Sequence, residues 1–195
     1  MPLGAVFAVT AWRAPLSQRS RFDDEVLPHL DAAYNLARWL TRDGHDAEDV
    51  VQEAVVRALR YLGSLRSGNG KAWFLTIVRN VFYDWVRQNR PVELVHDADD
   101  VIEALEDPAA VDPQVQALRS ADARLLADAL AQVPLQFREV VVLRELEDLS
   151  YKEIASVLAI PVGTVMSRLA RGRAMLRRVP SIQAEARAAV ERRRS

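Results

Sequence analysis

Apolar positions recur at three- and four-residue spacing along most of this chain, and no strand pattern or internal repeat stands out, so the expected elements are helices. Leu30, Ala33, Tyr34, Ala37 and Leu40 mark one face of a first helix, which Asp43-Gly44 should break. Asp46 suits the cap of a second helix, with Asp49 in its first turn near the positive end of the dipole. Val50, Val51, Ala54, Val55, Leu59 and Leu62 give that helix its apolar face, and Gly63 is its expected stop. After a Gly- and Ser-rich loop over 64–70, residues 71–89 return to helix. There Trp73, Phe74, Ile77, Val78, Val81, Phe82, Trp85 and Val86 have core-like spacing. A second block starts near Gln114, with Leu118, Leu125, Leu126, Ala129 and Leu130 on one helix. Pro134 opens the next, which carries Phe137, Val140, Val141, Leu143 and Leu146.

Residues 150–178 carry a sharper pattern. Ser150 and Glu153 have capping-box spacing, and Tyr151, Ile154, Ala155 and Leu158 follow as an apolar face. Pro161 interrupts, disfavours a helical Ile160 and suits the first turn of a new helix. In that helix Val162, Val165, Leu169 and Leu176 form the expected inward stripe, with Ser167, Arg168, Arg171 and Arg178 opposite. Two short helices across a tight turn make a helix-turn-helix. The second helix is rich in arginine and free of acid, which suits the major groove of DNA.

Formal net charge is only −1, low for a nucleic-acid binder, but the charge is segregated. Residues 97–112 hold Asp97, Asp99, Asp100, Glu103, Glu106, Asp107 and Asp112 and no Lys or Arg. With Pro91, Pro108 and Pro113 around it, this stretch reads as an acidic flexible linker. The fold class is therefore all-α: two small helical domains joined by that linker, the C-terminal one containing the helix-turn-helix. The expected boundaries are 1–22 as a disordered extension, 23–91 and 117–179 as the domains, 92–116 as the linker and 180–195 as a basic tail.

Several chemistries fall away. The chain has no cysteine, and His29, His45 and His96 lack metal-ligand spacing, so no metal site or cofactor is expected. Gly68-Asn69-Gly70-Lys71 lacks the earlier glycine and the following Ser or Thr of a phosphate-binding loop. No catalytic set is visible, and no enzyme activity is expected. No apolar run reaches membrane-spanning length, so no membrane insertion is expected and a cytoplasmic location is the default.

The chain resembles a bacterial RNA polymerase sigma factor of the extracytoplasmic function (ECF) group. The resemblance rests on YNLARWLTRDGHDAEDVVQEAVVRALRYL at 34–62, AWFLTIVRNVFYDWVRQNR at 72–90 and the region 133–178 with PVGTVMSRLARGR. It implies a promoter-specificity subunit that binds core polymerase, recognises the −10 and −35 promoter elements and starts transcription. By resemblance, Asp49, Gln52 and Glu53 contact the clamp coiled coil of the largest polymerase subunit, and the C-terminal domain meets the flap. Their offsets of three and four do place them on one helix face. The resemblance also implies single-stranded −10 contacts from Arg79, Asn80 and Arg87. Thr164, Met166, Ser167, Arg168 and Arg171 would meet duplex −35 DNA, and an anti-sigma factor would regulate the chain. Two positions depart from the family: Met166 stands where Arg or Lys is usual, and Ala159 where the turn often has glycine. The alternative is a stand-alone helix-turn-helix regulator, binding a palindromic duplex as a dimer without polymerase.

Overall fold

The computed structural model describes residues 16–66, 68–89 and 121–180, and every regular element among them is helical. The first block holds α1 (Leu16–Glu25), a 3-10 turn (Leu27–His29), α2 (Leu30–Thr41), α3 (Gly44–Tyr61) and α4 (Gly70–Asn89). The second holds α5 (Ala121–Ala131), α6 (Leu135–Val141) running into a π-helical turn (Val142–Leu146), α7 (Tyr151–Leu158) and α8 (Val162–Leu176).

Helices α2, α3 and α4 pack mutually, burying Leu36, Leu40, Val50, Val51, Phe74, Leu75, Val78 and Phe82. All but Leu36 and Leu75 lie on the apolar stripes the spacing predicts. Removing such stripes from water is what holds short helices together, since their intrinsic propensity is marginal. One cap differs from expectation. Asp43, not Asp46, caps α3, its carboxylate accepting from the backbone N–H of His45 at 2.7 Å and of Asp46 at 3.0 Å. The reason lies one residue earlier. Arg42 closes α2 in the left-handed region at φ 65°, so the chain reverses within two residues and α3 starts sooner. Asp46 then sits in the first turn, where burial and the neighbouring Asp43 raise its pKa.

The expected disordered extension over 1–22 ends too late. Helix α1 begins at Leu16, Phe22 and Val26 are buried in the first core, and Arg21 donates to the Leu65 carbonyl. A weakly patterned segment became ordered because two apolar side chains find a finished core to dock on. Gly70 makes room for this: a Cβ there would stand 2.1 Å from the Glu25 carbonyl oxygen. Residues 1–15, the linker 92–116 and the tail from 181 lie outside the described residues.

In the second block the Ser150 capping box forms in both directions. Ser150 N–H donates to Glu153 Oε2 at 2.8 Å, and the Glu153 N–H donates to Ser150 Oγ at 3.3 Å. These bonds hold the Glu153 carboxyl below the usual range. Helix α7 ends at Ala159, left-handed at φ 53° and ψ 43°, and Pro161 precedes α8. Helix α8 packs on α6 and α7, burying Val165, Leu169 and Gly172. Val162, expected on the inward stripe, is instead exposed, because the inward face of α8 runs through Val165, Leu169 and Gly172 and leaves position 162 on the outer side.

An exposed alanine in the left-handed region bears a steric cost that glycine does not. Ala159→Gly is expected to stabilise the protein by about 1 kcal/mol. Thermal unfolding should show a midpoint raised by about 2–4 °C.

Candidate nucleic-acid interface

Helix α8 presents its whole outer side to solvent. Val162, Gly163, Met166, Ser167, Ala170, Arg171, Arg173 and Arg177 are exposed, and Thr164 and Arg168 are half-buried at its margins. No acid occurs within the helix. Of the −35 candidates, Ser167 bonds its own helix through the Thr164 carbonyl at 3.0 Å, which fixes its rotamer. Arg173 is engaged by Glu145 of the preceding turn, Nε to Oε1 at 2.9 Å. Its charge is therefore partly cancelled, while Arg168 and Arg171 carry the outward positive field. A helix with a rigid inner face and an acid-free cationic outer face has the shape and charge to enter a major groove.

The −10 candidates on α4 separate. Asn80 and Arg87, seven residues apart on one helix face, are exposed, and Arg87 is bonded to Asp84 one turn back. Arg79 is not exposed with them. Its Nε lies 2.8 Å from Oε1 of Glu139 on α6, and that carboxylate is only 2% exposed. Tyr83 donates to the same oxygen at 3.3 Å, and the Arg79 guanidinium stacks 4.6 Å from the Tyr83 ring centre. Burial, reinforced by Glu139, pushes the Tyr83 phenol far above its ordinary value, so it acts as a donor. Burial alone would weaken the Arg79 charge, but Glu139 and Tyr83 together more than offset it and raise its pKa. Arg79, expected to face DNA, thus joins the two blocks in this structure. Loop and core roles also part: Phe74 is fully buried, whereas Trp73 is half-buried, its indole N–H reaching Ser64 Oγ at 3.3 Å.

A second polar contact sits beside the first. Lys71 donates to the Glu147 carbonyl at 2.6 Å and pairs with its carboxylate at 3.1 Å, while Asn35 reaches the same carboxylate at 3.4 Å. Arg138, 3% exposed, donates to the carbonyls of Leu130, Ala131 and Val133 at the end of α5, and to that of Trp39 on α2 at 3.2 Å. The blocks therefore close through α7 on α4 and α6 on α2. Lys71, Glu139 and Glu147 had no signal in the sequence, since each reads as an ordinary surface charge.

On the far side of α3 the polymerase candidates do share a face. Asp49 and Glu53 are exposed and Gln52 is half-buried. Asp49 and Glu53 line a groove of about 400 Å³ together with Arg57, Asp84, Trp85 and Gln88. Glu53 pairs with Arg57 at 2.8 Å, and Arg57 also bonds Asp84 of α4. Burial would raise the Asp84 carboxyl, but hydrogen bonds from Arg57 and Arg87 outweigh it and hold the pKa low. The α4 half of this groove was missed in the sequence. Its trace is the set Asp84, Trp85 and Gln88, polar or amphipathic positions spaced along one helix.

Among the described residues no helix is long and apolar enough to cross a membrane, and no cluster of His, Asp and Glu could hold a metal.

This architecture, a helical block followed by a helix-turn-helix block, is that of a sigma-70-type transcription factor. Family models for Sigma-70 region 2 and for Sigma-70 region 4 match residues 26–92 and 123–176. The chain belongs to the ECF group of RNA polymerase sigma factors. It is 35% identical to the ECF RNA polymerase sigma-E factor of Haemophilus influenzae, over 72% of this chain and 77% of that one. It is 38% identical to the ECF RNA polymerase sigma factor SigE of Mycolicibacterium smegmatis, over 89% of this chain. The match spans 65% of that relative's own length. Among solved structures it is similar to the sigma factor RpoE from Bartonella quintana in complex with the anti-sigma factor NepR. That likeness has a TM-score of 0.65 and 31% identity, over 80% of this chain and 94% of that one. It is also similar to CnrH in complex with the cytosolic domain of CnrY, with a TM-score of 0.56 and 26% identity, over 88% and 92%.

Removing one partner of a buried ion pair strands the other charge, whereas replacing both by apolar groups can be neutral. Arg79→Met is therefore expected to destabilise the closed arrangement by about 3 kcal/mol. Arg79→Met with Glu139→Met should recover most of that loss. Thermal unfolding of the two variants, with the radius of gyration from small-angle scattering, checks the pairing; equal losses in both would contradict it.

Proposed function

We propose that this chain is a promoter-specificity subunit. It joins core RNA polymerase, sets α4 on the −10 element and α8 on the −35 element, and starts transcription with no catalytic residue of its own. The observation that carries this reading is the acid-free outer face of α8, held on the same chain as the Asp49–Glu53 face of α3. A lone helix-turn-helix regulator would use the first and leave the second without a purpose.

In this reading Asp49, Gln52 and Glu53 meet the clamp coiled coil of the largest polymerase subunit, and the second block meets the flap. The groove beside Asp49 and Glu53 has both acid and a half-buried indole at Trp85, which suits a partner helix carrying a cation on an apolar stem. Asn80 and Arg87 meet the −10 strand directly, and Arg79 does so once Glu139 has let it go. Thr164, Met166, Ser167, Arg168 and Arg171 meet the −35 duplex. The acidic linker over 92–116 passes near the polymerase active-site channel. Control by an anti-sigma factor is supported by the similar sigma factor RpoE from Bartonella quintana, whose structure was solved with the anti-sigma factor NepR. The protein works in the cytoplasm, where its polymerase and promoters are.

Run-off transcription with purified core polymerase on genomic fragments tests the reading; transcripts that do not depend on this chain would contradict it. Glu53→Lys reverses charge on the α3 face and is expected to weaken co-purification with core polymerase by roughly tenfold or more. Unchanged binding across Glu53→Lys and Asp49→Lys would remove that assignment. Arg171→Ala should cost about 1–3 kcal/mol of −35 recognition while sparing polymerase binding. Promoter binding by the assembled holoenzyme measures both effects.

A further inference from the structure

Four large apolar side chains stand exposed among the described residues: Tyr61, Leu146, Val162 and Met166. Val162 and Met166 lie one turn apart on α8, with exposures of 39% and 54%. Ala170, another turn on, is exposed as well. The three make an apolar strip alongside a second strip formed by Gly163, Ser167 and Arg171. The helix packs its core through Val165, Leu169 and Gly172, so nothing in the fold requires an apolar side chain at 162 or 166.

A small apolar strip inside an acid-free cationic surface fits a ligand that is anionic overall yet offers an apolar group at the point of contact. Duplex DNA is such a ligand. Its phosphates satisfy the arginines, and the one apolar group on a base edge in the major groove is the C5-methyl of thymine. Val162 and Met166 belong to the first half of α8, the part of a recognition helix that faces base edges. Two side chains are far too little area for the core of a stable protein interface. We propose that Met166, supported by Val162, reads a thymine methyl in the −35 duplex.

This inference rests on the −35 reading above and sharpens it to one base feature. Methionine suits the task because its unbranched thioether adapts to the methyl without a hydrogen-bonding demand. Ser167 and Arg171, on the neighbouring strip, then fix the register of the helix through phosphate or guanine contacts. An arginine at 166 would instead ask for guanine acceptors, so the preferred element is expected to carry an A·T pair at this point.

The test uses holoenzyme assembled from core polymerase and the full chain. A −35 element is first selected from a randomised duplex library. Each thymine in it is then replaced by deoxyuridine, which removes the methyl and leaves every hydrogen-bonding group. Wild-type holoenzyme should lose roughly fourfold in affinity at one or two positions, as expected for unburying a single methyl. Met166→Ala should lose a similar amount on the normal element and then be indifferent to deoxyuridine at those positions. Both residues are exposed, so the variant keeps its fold, and Met166→Leu should retain most of the response. The proposal is overturned if wild type and Met166→Ala respond alike to every deoxyuridine. It is also overturned if Met166→Ala weakens holoenzyme assembly while leaving DNA selection intact, since the strip would then be a polymerase surface. A wild-type holoenzyme that selects no −35 duplex at all, with Arg171→Ala silent too, would sink the underlying reading instead.

Discussion

A carboxylate that is 2% exposed must have its charge met by the protein, and the Glu139 carboxylate is met by Arg79 and Tyr83 of the other block. That requirement organises the molecule. Attraction within a buried ion pair is largely offset by the loss of hydration, so the pair adds little net stability. What it imposes is alignment: a packing of the blocks that leaves Glu139 buried and unpaired is costly. Glu147, 4% exposed and met by Lys71 and Asn35, repeats the constraint a few residues on. Together they set α7 against α4 and α6 against α2, and the cost of that setting falls on one of the residues expected to face DNA.

The two helices expected to face the promoter therefore differ in readiness. Helix α8 packs on α6 and α7 within its own block and leaves its cationic side open. Helix α4 offers Asn80 and Arg87 but has committed Arg79 to Glu139. Beneath α8, the close approach to α6 passes over Gly172, where a Cβ would lie 2.7 Å from Val141 Cγ2. Arg138 ties the end of α5 to the same scaffold through the Leu130 and Ala131 carbonyls, a cation placed at the negative end of a helix dipole. The outer face of α8 can then be chosen freely for its ligand, since folding makes no demand on it.

Much of this was legible in the chain. The helical spacing gave the elements, because a stripe at three and four residues has one stable use in water. The Ser150–Glu153 cap and the Pro161 boundary follow from local chemistry that needs no distant partner. Asp49, Gln52 and Glu53 share a face because helix geometry alone puts them there. Where expectation failed, the deciding contact was remote. Phe22 is ordered by a core assembled from residues later in the chain, and Val162 faces outward because α6 and α7, not α8, decide which side of α8 is inner. The α4 half of the groove beside Asp49 and Glu53 needed the α3–α4 crossing before Asp84 could meet Arg57.

Periodicity, capping residues and the segregation of charge are local properties, so the sequence by itself determined the helices, the two blocks and the acid-free face of α8, and its motifs carried the resemblance to the family. Burial and pairing depend on residues far apart in the chain. Only the tertiary structure decided that Glu139 and Glu147 are interior charges, that Arg79 answers one of them, and that Val162 joins Met166 on the open face. The same letters, Glu and Arg, read alike on paper whether solvated or buried; the difference is the water that packing takes away.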